Sequence, residues 1–155
     1  MSTESSRHLS GERRSGTIVC SVTDNDETEA VVDVAVELSE RLDLRLVLVA
    51  VGDGILDSAG RPLESVTTNA AREGARKTLQ RVLFRTGPPA DVECRLEMGD
   101  PTVELARVAH EEHADLVLIG SPRSRLLRGR VRIAGLDELR MACPCPVVVV
   151  PSRPG

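Results

Sequence analysis

Apolar residues along this chain come in two kinds of run, continuous stretches of four to eight and stripes spaced three and four apart, and the two kinds alternate. Residues 17–22 and 44–51 read as strands, and 116–119 and 147–150 as strands apolar on every position. Residues 91–98 alternate, with Val92, Cys94, Leu96 and Met98 on one side, and predict a further strand. Between them, Val31, Val34, Ala35, Leu38 and Leu42 keep the helical period over 28–42, and Ala71, Ala75, Leu79 and Val82 keep it over 63–85. Gly87-Pro88-Pro89 stops the second helix, and Asp100-Pro101 supplies an N-cap and a first-turn proline for a third that ends near Glu112. A short last helix is expected over about 134–141, after a polar connector that follows Gly120-Ser121.

A βαβαβαβαβ order specifies an α/β domain: an open five-stranded parallel sheet with helices on both faces. Ligands of such sheets bind outside the carboxyl ends of the strands, where the winding reverses. With the first and fourth strands as neighbours at that point, attention falls on 21–26 and 119–134.

The 155 residues fit one domain, expected over 17–151, between a disordered tail at 1–16 rich in Ser, Glu, Arg and Gly and a short tail at 152–155. Phe84 is the single aromatic residue, so a chain that is 41% hydrophobic must build its core from aliphatic side chains. Without Trp or Tyr to stack on bases, and with a net charge of −4, it is not built to bind nucleic acid. No signal-like or membrane-spanning run occurs, and a cytoplasmic location is expected. Cys20 and Cys94 fall inside expected core strands, while Cys143 and Cys145 are too close for an unstrained bridge. Reduced thiols are the expectation, and no metal site.

The connector after Gly120 carries Arg123, Arg125, Arg128, Arg130 and Arg132, which suits either a phosphate clamp or a solvated or partner-facing loop paired with acids. Asp24, Asn25, Asp26 and Glu27 suit a magnesium ion, but acids in a first helical turn also complement its dipole. His110 and His113 are placed on one helical face without a third metal ligand. No G-x-G-x-x-G, G-K-S/T or G-x-S-x-G motif occurs, and nothing argues for an enzyme.

The run 29–42 with V-A-V-E-L-S-E-R-L, Gly99-Asp100-Pro101, the strand 114–121 and Cys145-Pro146-Val147-Val148-Val149 together resemble the universal stress protein family over 17–151. The resemblance implies a Rossmann-like, adenine nucleotide alpha hydrolase-like sheet of strand order 3-2-1-4-5. It also implies a homodimer formed through the 147–150 edge strand, and ATP or another adenine nucleotide as ligand in some members only. Members that bind ATP carry G-x-x-G, nine residues, then G-S or G-T after the fourth strand, because bare backbone amides hold phosphate. Here Gly120 matches, whereas the second glycine falls on Arg123 and the final pair on Ile133 and Ala134; the family's adenosine-contacting aspartate falls on Thr23, with Asp24 beside it. The candidate nucleotide site therefore comprises Ser21, Thr23, Asp24 and Val51 for base and ribose, with Gly120, Ser121, Arg123, Arg132 and Ala134 toward the phosphates. Two readings follow. One is a non-catalytic dimeric stress-response or regulatory protein with a degenerate loop and weak or no ATP binding. The other is an adenine-nucleotide sensor that uses the arginines as its clamp.

Overall fold

The computed structural model describes residues 16–23, 27–52, 66–87, 91–120 and 130–151. Within these, β1 (Gly16–Val22), α1 (Glu27–Leu42), β2 (Leu44–Gly52), α2 (Val66–Thr86), β3 (Val92–Met98), α3 (Pro101–Glu111), β4 (Leu116–Gly120), α4 (Arg130–Ala142) and β5 (Val147–Val150) follow one another. The sheet is parallel at every pairing and its order is β3-β2-β1-β4-β5, as the resemblance implied.

Alternation along the inner strands divides the core in two. Ile18, Cys20, Val22, Leu46, Leu48, Ala50 and Leu118 meet Val31, Val32 and Ala35 of α1 and Ala75, Leu79 and Val82 of α2 on one face. Val19, Val47, Val49 and Val117 meet Leu105, Val108 and Ala109 of α3 and Leu139 of α4 on the other. Both layers are aliphatic. Phe84, near the end of α2, is 90% exposed and contributes nothing to either.

Local chemistry sets the ends of α3. Asp100 accepts the Val103 N–H at 3.3 Å in front of Pro101, and Gly99, at φ 139°, turns the chain out of β3. At the other end His113 takes the left-handed conformation, φ 54°, with the Ala114 N–H bonded to the Ala109 carbonyl.

Several expectations need correction. Leu42 keeps the helical period of α1, but as its last residue it is 55% exposed; the buried line runs through Thr28, Val31, Val32, Ala35 and Ser39. Cys94 was placed in the core and is exposed, because β3 has a neighbour on one side only. His113 lies past the end of α3 and shares no helical face with His110, whose Nε2 is 3.1 Å from the Ala142 carbonyl. Helix α4 starts at Arg130, earlier than expected, since arginine is a good helix former. Gly16, counted with the tail, is the first residue of β1 and pairs with Leu44. The rest of both tails lies outside the described residues.

Candidate functional site

At the carboxyl ends of β1 and β2 a cavity of about 310 Å³ opens between α2 and the start of α3. Ser21, Val22 and Thr23 form one side and Ala50, Val51 and Gly52 the next; Ala71, Gly74, Ala75 and Thr78 of α2, with Pro101 and Leu105 of α3, complete it. Among the described residues the side chains of this wall are small, apolar or hydroxylic, and none is charged.

The wall is held by a few specific contacts. Thr28, 1% exposed in the first turn of α1, accepts the Thr23 N–H at 2.6 Å and donates to the Thr23 carbonyl at 2.6 Å, with Thr23 Oγ1 3.0 Å away. One buried hydroxyl thus pins the end of β1 where the strand leaves the sheet. Gly52 accepts the Gly99 N–H at 3.0 Å, joining the ends of β2 and β3. A Cβ at Gly52 would lie 2.6 Å from Met98 Sδ and 3.1 Å from the Ala71 carbonyl, so a side chain there would make Met98 move and crowd the backbone of α2. In the wall itself, Thr78 donates its hydroxyl to the Gly74 carbonyl at 3.0 Å.

Of the sequence candidates, Ser21, Thr23 and Val51 are brought together on this cavity. Gly120 ends β4, paired with Val150, and Cys20 opposite Leu118 sets it at the same edge of the sheet, though it does not line the cavity. Arg132 and Ala134 belong to α4, and only their backbone is described. Asp24, Ser121 and Arg123, with Asn25, Asp26, Arg125 and Arg128, lie outside the described residues. The cavity sits over β1 and β2 rather than between β1 and β4. Sequence reasoning therefore missed Gly52, the α2 wall and Leu105; a glycine at 74 inside a helical stripe was the available signal.

The arginines at the far side of the sheet are committed elsewhere. Arg95 meets Glu97 and Glu111 at 2.8 Å and Glu112 at 2.9 Å, while Arg107 meets Glu97 and Glu111 at 2.8 Å and also Glu104. Burial pulls the Arg95 pKa down, but its hydrogen bonds to Glu111, Glu97 and Glu112 carry it above the ordinary arginine value. Arg45 bridges Glu93 at 2.7 Å and Glu112 at 2.5 Å. Burial also holds thiols protonated: it pushes Cys20 up to about 12, and burial with Cys145 alongside pushes Cys143 up to about 11. Among the described residues no group of three or more His, Cys, Asp or Glu is placed to hold a metal ion, and no helix is long and apolar enough to cross a membrane.

A doubly wound parallel sheet with a cavity at its strand ends defines an α/β domain of the open-sheet class. The universal stress protein family model matches residues 15–151, and the chain belongs to that family. Its fold is similar to the universal stress protein UspA from Lactobacillus plantarum, at 21% identity, covering 88% of this chain and 98% of that one with a TM-score of 0.61. It is also similar to a universal stress protein in complex with cAMP, at 19% identity, 89% and 98% coverage and a TM-score of 0.59. The universal stress protein from Archaeoglobus fulgidus in complex with dAMP aligns at 16% identity, 88% and 98% coverage and a TM-score of 0.56. Comparison with curated proteins returns no match.

Proposed function

We propose that the protein is a non-catalytic, cytoplasmic, dimeric regulator of its family that takes the base and sugar end of an adenine nucleotide into the β1–β2 cavity and gains little from the phosphates. The observation that carries this is the cavity of about 310 Å³, at the lower end of the range for small-molecule sites, whose wall among the described residues is small and uncharged. Among the described residues this wall is neutral, which suits a neutral heterocycle, since buried ions need charged partners. Relatives of the same fold hold cAMP and dAMP, which supports the ligand class. Weak phosphate contribution rests on Arg123, Ile133 and Ala134 standing where the family's ATP-binding loop has glycines and a hydroxyl.

Calorimetric melting in the presence of millimolar adenosine, AMP and magnesium ATP tests the reading, because a ligand that binds only the folded chain raises the midpoint by mass action. Adenosine and AMP are expected to shift it nearly as far as ATP. A shift with ATP alone would transfer the affinity to Arg123 and Arg132 as a phosphate clamp. If none of the three moved the midpoint, nucleotide binding would be ruled out and the edge strand β5 would become the working surface. That second reading draws on Val148, 42% exposed on an edge strand, as the contact of a homodimer.

A further inference from the structure

We infer that Gly74 is the size-determining residue of the cavity: the bare backbone of α2 at this point sets the width of the opening, and any side chain there excludes the ligand. The inference deepens the adenine-nucleotide reading and rests on it. Glycine is the poorest helix former after proline, yet Gly74 sits well inside the 21-residue α2. The usual structural reasons for such a glycine are missing. Among the described residues a Cβ built on Gly74 meets nothing within 4 Å, unlike one built on Gly52. Nor does it adopt the positive φ seen at Gly87 and Gly99.

Its surroundings supply a different reason. Ala71, Gly74, Ala75 and Thr78 share one helical face and all line the cavity. Ala75 and Thr78 are buried, 8% and 4% exposed, whereas Gly74 is exposed and therefore stands at the opening. The Thr78 hydroxyl is turned onto the Gly74 carbonyl at 3.0 Å, which occupies its proton within the helix. The helix thus offers the cavity a strip of small, uncharged residues, Ala71, Gly74 and Ala75, on the same cavity as Ser21 and Val51, a surface suited to a planar ring such as a purine. A methyl group at 74 would project into space that the described residues leave empty.

Gly74→Ala separates this role from a structural one because stability and binding should move in opposite directions. The unliganded midpoint is expected to rise by about 2–4 °C from helix propensity, while affinity for adenosine and AMP, read by isothermal calorimetry, falls at least tenfold. Lys77→Ala, an exposed change on the same helix outside the cavity, should leave affinity unchanged. Wild-type affinity in Gly74→Ala, or a lower unliganded midpoint, would overturn the inference while leaving the nucleotide reading intact. If the wild-type protein itself bound neither adenosine nor AMP, both would fall together.

Discussion

The two edges of the sheet differ in how they meet water. Strand β3 carries Glu93, Arg95 and Glu97 on the face toward α3, where they enter a network with Arg45, Arg107, Glu111 and Glu112. Inward-pointing charges that already have partners make poor neighbours for another strand, and β3 is thereby closed. Strand β5 is four valines with no charge of its own; Val148 leaves 42% of its surface in water, and the nearby Arg140 guanidinium is turned to the Val147 carbonyl at 3.5 Å. The contrast teaches that an edge can be protected by its own residues or left for a partner to cover.

The largest effect should come from inverting the apolar edge. Val148→Lys is expected to turn the proposed dimer into monomer, with the dissociation constant rising at least a hundredfold in sedimentation velocity. A wild-type monomer at micromolar concentration, or a mutant of unchanged mass, would remove β5 as an interface. At the guarded edge, Arg95→Met should lower stability by about 1–3 kcal/mol in urea unfolding, since it leaves Glu97 and Glu112, each largely shielded from water, without that partner.

The same network gives a pH signature. Hydrogen bonds from Arg95 and Arg107 hold the Glu111 carboxyl below its ordinary value of 4.5. A carboxylate with a depressed folded pKa contributes stability that is present above 4.5 and lost as pH falls through the folded value. Melting midpoints should therefore drop below pH 4.5, less steeply in Arg95→Met than in the wild type. An equal slope in both would detach the network from acid stability. The smallest effect is chemical: with the protein folded, Cys94 at the β3 edge should alkylate before Cys143 and Cys145, and Cys20, fully buried with its thiol pushed up to about 12, should not react. Labelling of Cys20 as fast as Cys94 would show that the sheet opens.

How much of this the sequence carried depended on whether a feature was local. Continuous apolar runs located β1, β2, β4 and β5, and Asp100-Pro101 located the start of α3, because caps and periodicity are written in neighbouring residues. Strand order came from the family resemblance and from the handedness of crossovers. Cys94 shows the limit: its alternation with Val92 and Leu96 is that of a core position, and only the tertiary fact that β3 is an edge exposes it. The site was legible in part for the same reason. Ser21, Thr23 and Val51 follow from where strands end, whereas Ala71, Gly74 and Thr78 line the cavity through the tertiary packing of α2 beside Gly52.

The aliphatic core has an optical consequence. With no Trp or Tyr, and Phe84 as the sole aromatic residue, the folded protein is almost transparent where purines absorb. An adenine ring carried through purification would then dominate the near-ultraviolet spectrum of the sample, and occupancy of the cavity would be read directly from the absorbance of the native protein.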